Sequence, residues 1–127
     1  MRYKPEGYPD LSPYLVVKDA KIALEFLRAT FDIEVRRKHL TDAGRIQHCE
    51  ILMNDAVIML GESKEPTTAH LHLYLPDPER ALARARAAGG TIVQEVQKRA
   101  DGDVRGGVRA PCGTTYWLAR DGAAASA

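Results

Sequence analysis

The two halves of the chain repeat one pattern of residues at a nearly fixed offset. Asp19 and Asp77 each open an apolar helical pattern, and 58 residues separate them. The same offset places Met59 on Trp117 near the end of each half. Self-similarity at a fixed period is the sequence signature of a repeated structural unit. A chance match of two strand–helix starts is the alternative, but the final strands of the halves also match without a gap.

Each half predicts the order βαβββ, so the repeat predicts an α+β fold of two tandem modules. In the first half we expect strands over 15–17, 33–40, 45–53 and 56–61, with a helix after the first strand. In the second half we expect strands over 69–75, 91–97, 104–109 and 115–119, with a helix that begins at residue 78. Module one then spans 10–61 and module two 69–119 of a single domain, 1–127, with 120–127 expected to be a disordered tail.

Residues that start and stop helices support this division. Asp19 and Asp77 precede the two helical patterns, where a carboxylate can accept hydrogen bonds from free amides of the first turn. Pro78 falls in the first turn of the second helix, where its missing N–H costs nothing. Gly89 and Gly90 follow the last apolar residue of that helix and predict its end.

The composition excludes several classes of protein. The chain has 127 residues, of which 18 are Lys or Arg and 17 are Asp or Glu. A net charge of +1 argues against nucleic-acid binding, which requires a surplus of basic side chains. A membrane-spanning helix needs about 20 consecutive apolar residues, and the sequence contains no such run. We therefore expect neither nucleic acid nor membrane as a partner.

The first residues and the two cysteines indicate a compartment. Residues 1–9 are polar and contain no apolar core of a signal peptide, so we expect a cytoplasmic protein. Cys49 and Cys112 fit that compartment as free thiols that serve packing. The chain contains no CxxC pair, which excludes a structural zinc site of that type.

A family resemblance rests on motifs spread over almost the whole chain. In the first half these motifs are residues 13–20, 25–26, 31, 44–48, 54–55 and 58–60. In the second half they are residues 73–77, 87–89, 106–109, 111 and 113. The sequence resembles the glyoxalase / bleomycin-resistance / dioxygenase (vicinal oxygen chelate) superfamily, and within it the PhnB-like branch. It departs at Ala110, where the family usually has Asp, and at Asp32, where it usually has Gly.

The resemblance implies curved mixed sheets around a cleft, a homodimer and, in the enzymes, a divalent metal. Four inward side chains from the first and last strands of each module would hold that metal. The corresponding positions here are Ser12, Met59, His70 and Trp117. Only His70 is a good ligand for such an ion. We therefore expect no cofactor at the family's standard metal positions and no catalytic residue there, and the sequence favours a protein that is not an enzyme.

Side-chain alternation predicts which residues line the cleft. If His70 points inward, so do its second neighbours along the strand, while the leucines between them face the helices. The Asn54-Asp55 hairpin turn pairs Glu50 with Met59 and puts both on the cleft face. At the repeat offset His48 corresponds to Gly106, which predicts more open space in module two. The predicted ligand-binding residues are Tyr14, His48, Glu50, Met59, His70, His72, Tyr74 and Trp117.

Three hypotheses about function follow. An aromatic plane, a thioether and several imidazoles suit a flat, partly apolar ligand. The first hypothesis is thus a metal-free binding protein for a small aromatic or heterocyclic molecule, similar to the antibiotic-sequestering members of the family. The second is a metal-dependent lyase, isomerase or dioxygenase with a displaced site made of His48, Glu50, His70 and His72. The third is an interaction module whose cleft is filled by its own side chains.

Overall fold

The computed structural model describes residues 3–122 and contains eight strands and two helices in that range. The first half contains β1 (Tyr14–Val17), α1 (Ala20–Thr30), β2 (Ile33–Leu40), β3 (Ile46–Met53) and β4 (Ala56–Glu62). The second half contains β5 (His70–Tyr74), α2 (Pro78–Ala87), β6 (Thr91–Lys98), β7 (Val104–Arg109) and β8 (Thr115–Arg120). Arg120 therefore ends a strand, and the expected tail lies outside the described residues from 123 onward.

The strands form two four-stranded mixed sheets with the same topology. The order is β1-β4-β3-β2 in the first sheet and β5-β8-β7-β6 in the second. In each sheet the first and last strands of the module are parallel neighbours, and the other pairs are antiparallel. The predicted α+β fold of two βαβββ modules is confirmed.

Both helices begin where the sequence predicts, and α2 ends before Gly89 as expected. The Asp19 carboxylate accepts from the Ile22 N–H at 3.1 Å, and Asp77 accepts from the Arg80 N–H at 3.0 Å. These contacts satisfy amides that have no partner inside the helix. Gly89, with φ of +97°, follows α2 in the left-handed conformation that glycine adopts without steric cost.

Both modules share one hydrophobic core, which lies on the helix side of each sheet. Phe26 lies in α1, and Phe31 directly follows the end of that helix. Both rings pack against Tyr116 of β8, with centroid distances of 6.1 Å from Phe26 and 5.7 Å from Phe31. Burial of Cys49, Ile51 and other alternate residues of β3 continues the same core in the first sheet. The remaining face of each sheet therefore lies on the side away from this core.

The repeat offset changes by one residue between the last two strands of each module. Glu50 pairs with Met59 in the first sheet, and Gly107 pairs with Trp117 in the second. The offset is thus 58 between the last strands but 57 between the strands before them. The cause is a longer turn between β7 and β8 than between β3 and β4. The expected match of His48 with Gly106 was therefore wrong.

The helices α1 and α2 have 11 and 10 residues. Neither is long and apolar enough to cross a bilayer, and residues 3–122 contain no other helix.

Candidate functional site

The eight predicted site residues fall into two groups, one on each sheet, on the face opposite the helices. The first-sheet group consists of Tyr14, His48, Glu50 and Met59; the second-sheet group consists of His70, His72, Tyr74 and Trp117. Among residues 3–122, no side-chain hydrogen bond, ion pair or ring contact joins one group to the other. Within one chain the structure thus brings the eight residues together as two separate faces.

Tyr14 and His48 stack in the first-sheet group. Their ring centroids are 5.6 Å apart at an interplanar angle of 26°, and the Tyr14 hydroxyl lies 3.3 Å from His48 Nδ1. The two residues are on β1 and β3, with β4 between them. Gly61 of β4 makes this contact possible, because a Cβ atom at that position would clash with the Tyr14 ring. The glycine is therefore required for the stack.

Glu50 is a buried carboxylate at the centre of the first-sheet group, with only 6% of its surface exposed. Its Oε1 accepts a hydrogen bond from the Tyr8 hydroxyl at 2.5 Å, and its Oε2 lies 2.8 Å from His48 Nε2. Because an ionised carboxylate only accepts, His48 Nε2 donates. In a neutral imidazole the Nδ1 lone pair then faces the Tyr14 hydroxyl, which orders these side chains into one hydrogen-bonded chain.

The hydrogen bonds decide the ionisation of Glu50. Burial alone raises the pKa of this carboxyl, because the charged form loses hydration. The hydrogen bonds from Tyr8 and His48, together with the charge of Arg37 at 3.9 Å, outweigh burial and hold the pKa below its usual value. The hydrogen bond between Tyr8 and Glu50 raises the pKa of the Tyr8 hydroxyl. Glu50 is therefore a negative charge near neutral pH.

In the second-sheet group, Trp117 and His70 form a flat aromatic surface. Their ring centroids are 6.2 Å apart at an interplanar angle of 12°, and Trp117 Nε1 donates to His70 Nδ1 at 3.1 Å. The indole lies over Gly107, since a Cβ atom there would come within 2.6 Å of the ring. Gly107 matches Glu50 of the first sheet, so the indole covers the place where module one has its buried carboxylate.

His72 and Tyr74 extend this surface and are held by charged neighbours. Their rings meet edge to face at 4.9 Å. Arg105 Nε donates to His72 Nε2 at 3.1 Å, and the Tyr74 hydroxyl donates to Asp103 Oδ2 at 2.7 Å. The hydrogen bond to Asp103 raises the pKa of Tyr74. Arg105 also reaches Asp101 at 2.8 Å, so its charge is balanced within the group.

A cavity of about 560 Å³ lies beside His72 and Tyr74. It separates β5 from the hairpin between β3 and β4, and Asn54 of that hairpin donates to the Tyr74 carbonyl at 3.5 Å. Its lining residues are Pro13, Met53, Asn54, Asp55, Ala56, Ile58, Leu71, His72, Leu73 and Tyr74. The second-sheet group is therefore next to a concave and largely apolar space.

Four neighbours of the predicted residues were missed by sequence reasoning. Tyr8 lies in the N-terminal segment outside the repeat, and Asp103 lies just before β7. Arg37 and Arg105 are strand residues whose contacts with Glu50 and His72 depend on register. The corrected repeat offset provides one signal, because Arg105 then matches His48.

The family's metal positions do not fit a divalent ion in this chain. Trp117 is a donor only, its N–H is directed at the Nδ1 lone pair of His70, and Met59 offers a soft thioether. In the described part of the chain, no three His, Cys, Asp or Glu side chains are close enough to hold a metal ion. The alternative set is split accordingly, with His48 and Glu50 on one sheet and His70 and His72 on the other.

Two βαβββ modules share one core, and the site residues lie on the sheet faces opposite that core. This arrangement is the glyoxalase/bleomycin-resistance fold. A family described as Glyoxalase-like domain matches residues 14–119, and the chain belongs to this family. A protein of Mycobacterium bovis (strain ATCC BAA-935 / AF2122/97), described as uncharacterized, is 33% identical over 125 residues. The match covers 87% of this chain and 82% of that protein.

Solved structures with low sequence identity share the fold. TioX from Micromonospora sp. ML1 superposes with a TM-score of 0.77 at 21% identity and covers 89% of this chain and 98% of its own. A glyoxalase/bleomycin resistance protein/dioxygenase from Nocardioides superposes with a TM-score of 0.65 at 14% identity. The match covers 94% of this chain and 85% of that one. A PhnB protein from Bacillus cereus superposes with a TM-score of 0.64 at 14% identity. The match covers 87% of this chain and 98% of that one. The family match confirms the predicted glyoxalase-type family, and these solved structures share its fold.

Proposed function

We propose that this chain binds a small, flat aromatic or heterocyclic molecule without a metal, in the manner of an antibiotic-sequestering protein. The observation that carries the proposal is the nearly coplanar pair of Trp117 and His70, which continues into His72 and Tyr74. Tyr74 is 59% exposed, so the surface is open to a ligand. Planar rings gain both apolar burial and favourable stacking on such a surface.

The contacts of the imidazoles favour binding over metal-dependent catalysis. His70 Nδ1 accepts from Trp117, and His72 Nε2 accepts from Arg105. Both nitrogens of His48 are engaged, by Tyr14 and by Glu50. A metal ion needs a free nitrogen lone pair. Each imidazole nitrogen named above would therefore have to lose its hydrogen bond before it could coordinate a metal ion.

The proposal includes a homodimer that completes the binding cleft. Tyr14 and Tyr74 are more than half exposed although they lie on sheet faces, which suits faces covered by a second copy. We propose that the first-sheet face of one copy lies opposite the second-sheet face of the other. A ligand would then contact residues of both groups.

Intrinsic fluorescence tests the binding function, because Trp117 is the single tryptophan of the chain. The wild-type protein is titrated with acridine and with naphthalene in buffer that contains EDTA. We expect saturable quenching of the Trp117 emission and a higher melting temperature, since a ligand of the folded state stabilises it. Trp117→Phe should reduce the thermal stabilisation, whereas Leu40→Ala, an exposed residue at the end of β2, should not. Absence of any saturable signal would contradict the proposal.

Metal-dependent lyase, isomerase or dioxygenase chemistry is the alternative, and it requires a second copy as well. The His48–Glu50 pair and the His70–His72 pair form no group of three ligands among the described residues, so we propose that a second copy would bring them together. Elemental analysis of protein purified without chelator separates the alternatives. A stoichiometric metal that survives dialysis supports the enzyme, and loss of all metal on dialysis supports the metal-free binding protein.

The third hypothesis, an interaction module with a self-filled cleft, draws on the position of Tyr8. The hydroxyl of this residue donates a hydrogen bond to Glu50 Oε1, so the N-terminal segment covers part of the first-sheet face. A thermal-shift screen in which no compound stabilises the protein would favour this hypothesis over a binding function.

A further inference from the structure

The N-terminal strap, which we define as residues 3–10, is fastened to the first sheet through few contacts. Among described residues, two side-chain hydrogen bonds join it to the rest of the chain: Tyr8 to Glu50 at 2.5 Å and Arg36 to the Gly7 carbonyl at 3.2 Å. Its other hydrogen bonds are internal, including those from Tyr3 and Lys4 to Asp10. A segment held by so few contacts can detach at low cost.

Glu50 is the one carboxylate that is buried among the described residues. Tyr8 gives it a hydrogen bond on the side that faces away from His48. Met59 lies directly across from Glu50 on β4, and Tyr14 lies across from Met59 on β1. The Tyr8 ring, which reaches Glu50 over this face, has the Arg36 guanidinium 6.0 Å from its centroid, and a cation beside a ring favours flat aromatic groups.

We infer that Tyr8 is an internal substitute for the ligand, and that the first-sheet face selects flat aromatic molecules that carry an O–H or N–H donor. The inference rests on the proposed binding function and deepens it. The Tyr8 phenol already shows the accepted chemistry: a planar ring whose hydroxyl donates to Glu50 Oε1. Hydrogen bonds to a charged acceptor are among the stronger ones in proteins.

The strap also weakens binding of such a ligand. A short flexible tether holds Tyr8 near Glu50 at an effective concentration of roughly millimolar. A phenolic ligand must displace the Tyr8 hydroxyl before it can reach Glu50. Removal of that hydroxyl alone should therefore improve the binding of ligands with a donor and leave ligands without one unchanged.

Calorimetric titration of the full chain at pH 7 tests this inference with two matched probes. The first probe, 2-naphthol, carries a hydroxyl donor, and the second, 2-methoxynaphthalene, has the same ring system without it. We expect Tyr8→Phe to bind 2-naphthol about tenfold more tightly than the wild type does, as the gain of a hydrogen bond to a charged group implies. The Kd of 2-methoxynaphthalene should stay unchanged. Tyr3→Phe is the control, because its hydroxyl contacts Asp10 and not Glu50.

A second variant, Glu50→Gln, checks the acceptor. Loss of the charge should reduce the preference for 2-naphthol over 2-methoxynaphthalene. Equal gains for both probes in Tyr8→Phe would overturn the inference, because the strap would then be only a steric cover. Unchanged binding of 2-naphthol in that variant would overturn it as well. If neither probe binds to the wild type or to Tyr8→Phe, the proposed function fails together with the inference.

Discussion

Glu50 illustrates how one residue gives the two modules different chemistry. A buried carboxylate is costly unless hydrogen bonds replace its lost hydration, and Tyr8 and His48 provide them. Module two has Gly107 at the matching position, and the Trp117 indole lies over it. The first-sheet face therefore presents a charge with hydrogen-bonding groups, while the second-sheet face presents an aromatic plane.

Stability should depend on pH through Glu50. Its pKa is lowered in the folded state, so the ionised form contributes stability that is complete above the unfolded-state pKa near 4.5. That contribution is lost as the pH falls through the lower folded-state pKa. Urea unfolding between pH 7 and pH 3 should show a gap between wild type and Glu50→Gln that narrows with acidification. A gap that stays constant over this range would contradict the role assigned to the charge.

Sequence reasoning reached part of the candidate site. Alternation placed Glu50 on the cleft face, and its neighbours Cys49 and Ile51 belong to the hydrophobic core, as that alternation requires. The role of the eight residues in ligand binding stays a prediction. Tyr8 and Asp103 were beyond such reasoning, because each reaches the site from a segment without periodicity. The path of such a segment depends on tertiary contacts and leaves no pattern in the sequence.

At the scale of elements, the repeat and the caps determine most of the fold. The strand expected over 33–40 is observed at Ile33–Leu40, and that expected over 45–53 begins one residue later, at Ile46. The single offset of 58 did not extend to β7, since the turn before β8 is longer. A periodic pattern reports where strands lie, but turn length sets the register between them.

Removal of either helix cap should destabilise the protein by about 1 kcal/mol. Asp19→Ala and Asp77→Ala each leave one first-turn amide without its carboxylate partner. Glu65→Ala is a suitable control, because it removes an exposed charge from the linker between the modules. Urea denaturation measures the free energy of unfolding of the three variants. Equal stability of a cap variant and the control would show that the cap contributes nothing.

At the scale of the whole molecule, one core serves both sheets, and the site residues lie on the sheet faces away from it. Phe26 and Phe31 join α1 to Tyr116 of the second sheet, so the modules form a single hydrophobic core. The two groups of site residues then lie on faces that no other part of residues 3–122 joins together. In the homodimer that we propose, a second chain completes a cleft that uses both groups, so the proposal links ligand binding to the oligomeric state.

Light scattering coupled to size-exclusion chromatography should give a mass of twice the 14.0 kDa of one chain. Val93 is 43% exposed and approaches the same side of Gly107 as the Trp117 ring, so a charge there would enter the interface we propose. Val93→Asp should therefore shift the mass toward one chain and weaken the binding of naphthalene. Ile22→Asp places the same charge at a similarly exposed position of α1, on the helix side, and should leave the dimer intact. A wild-type protein that elutes with the mass of one chain would remove the shared cleft, and each face would then have to bind its ligand alone.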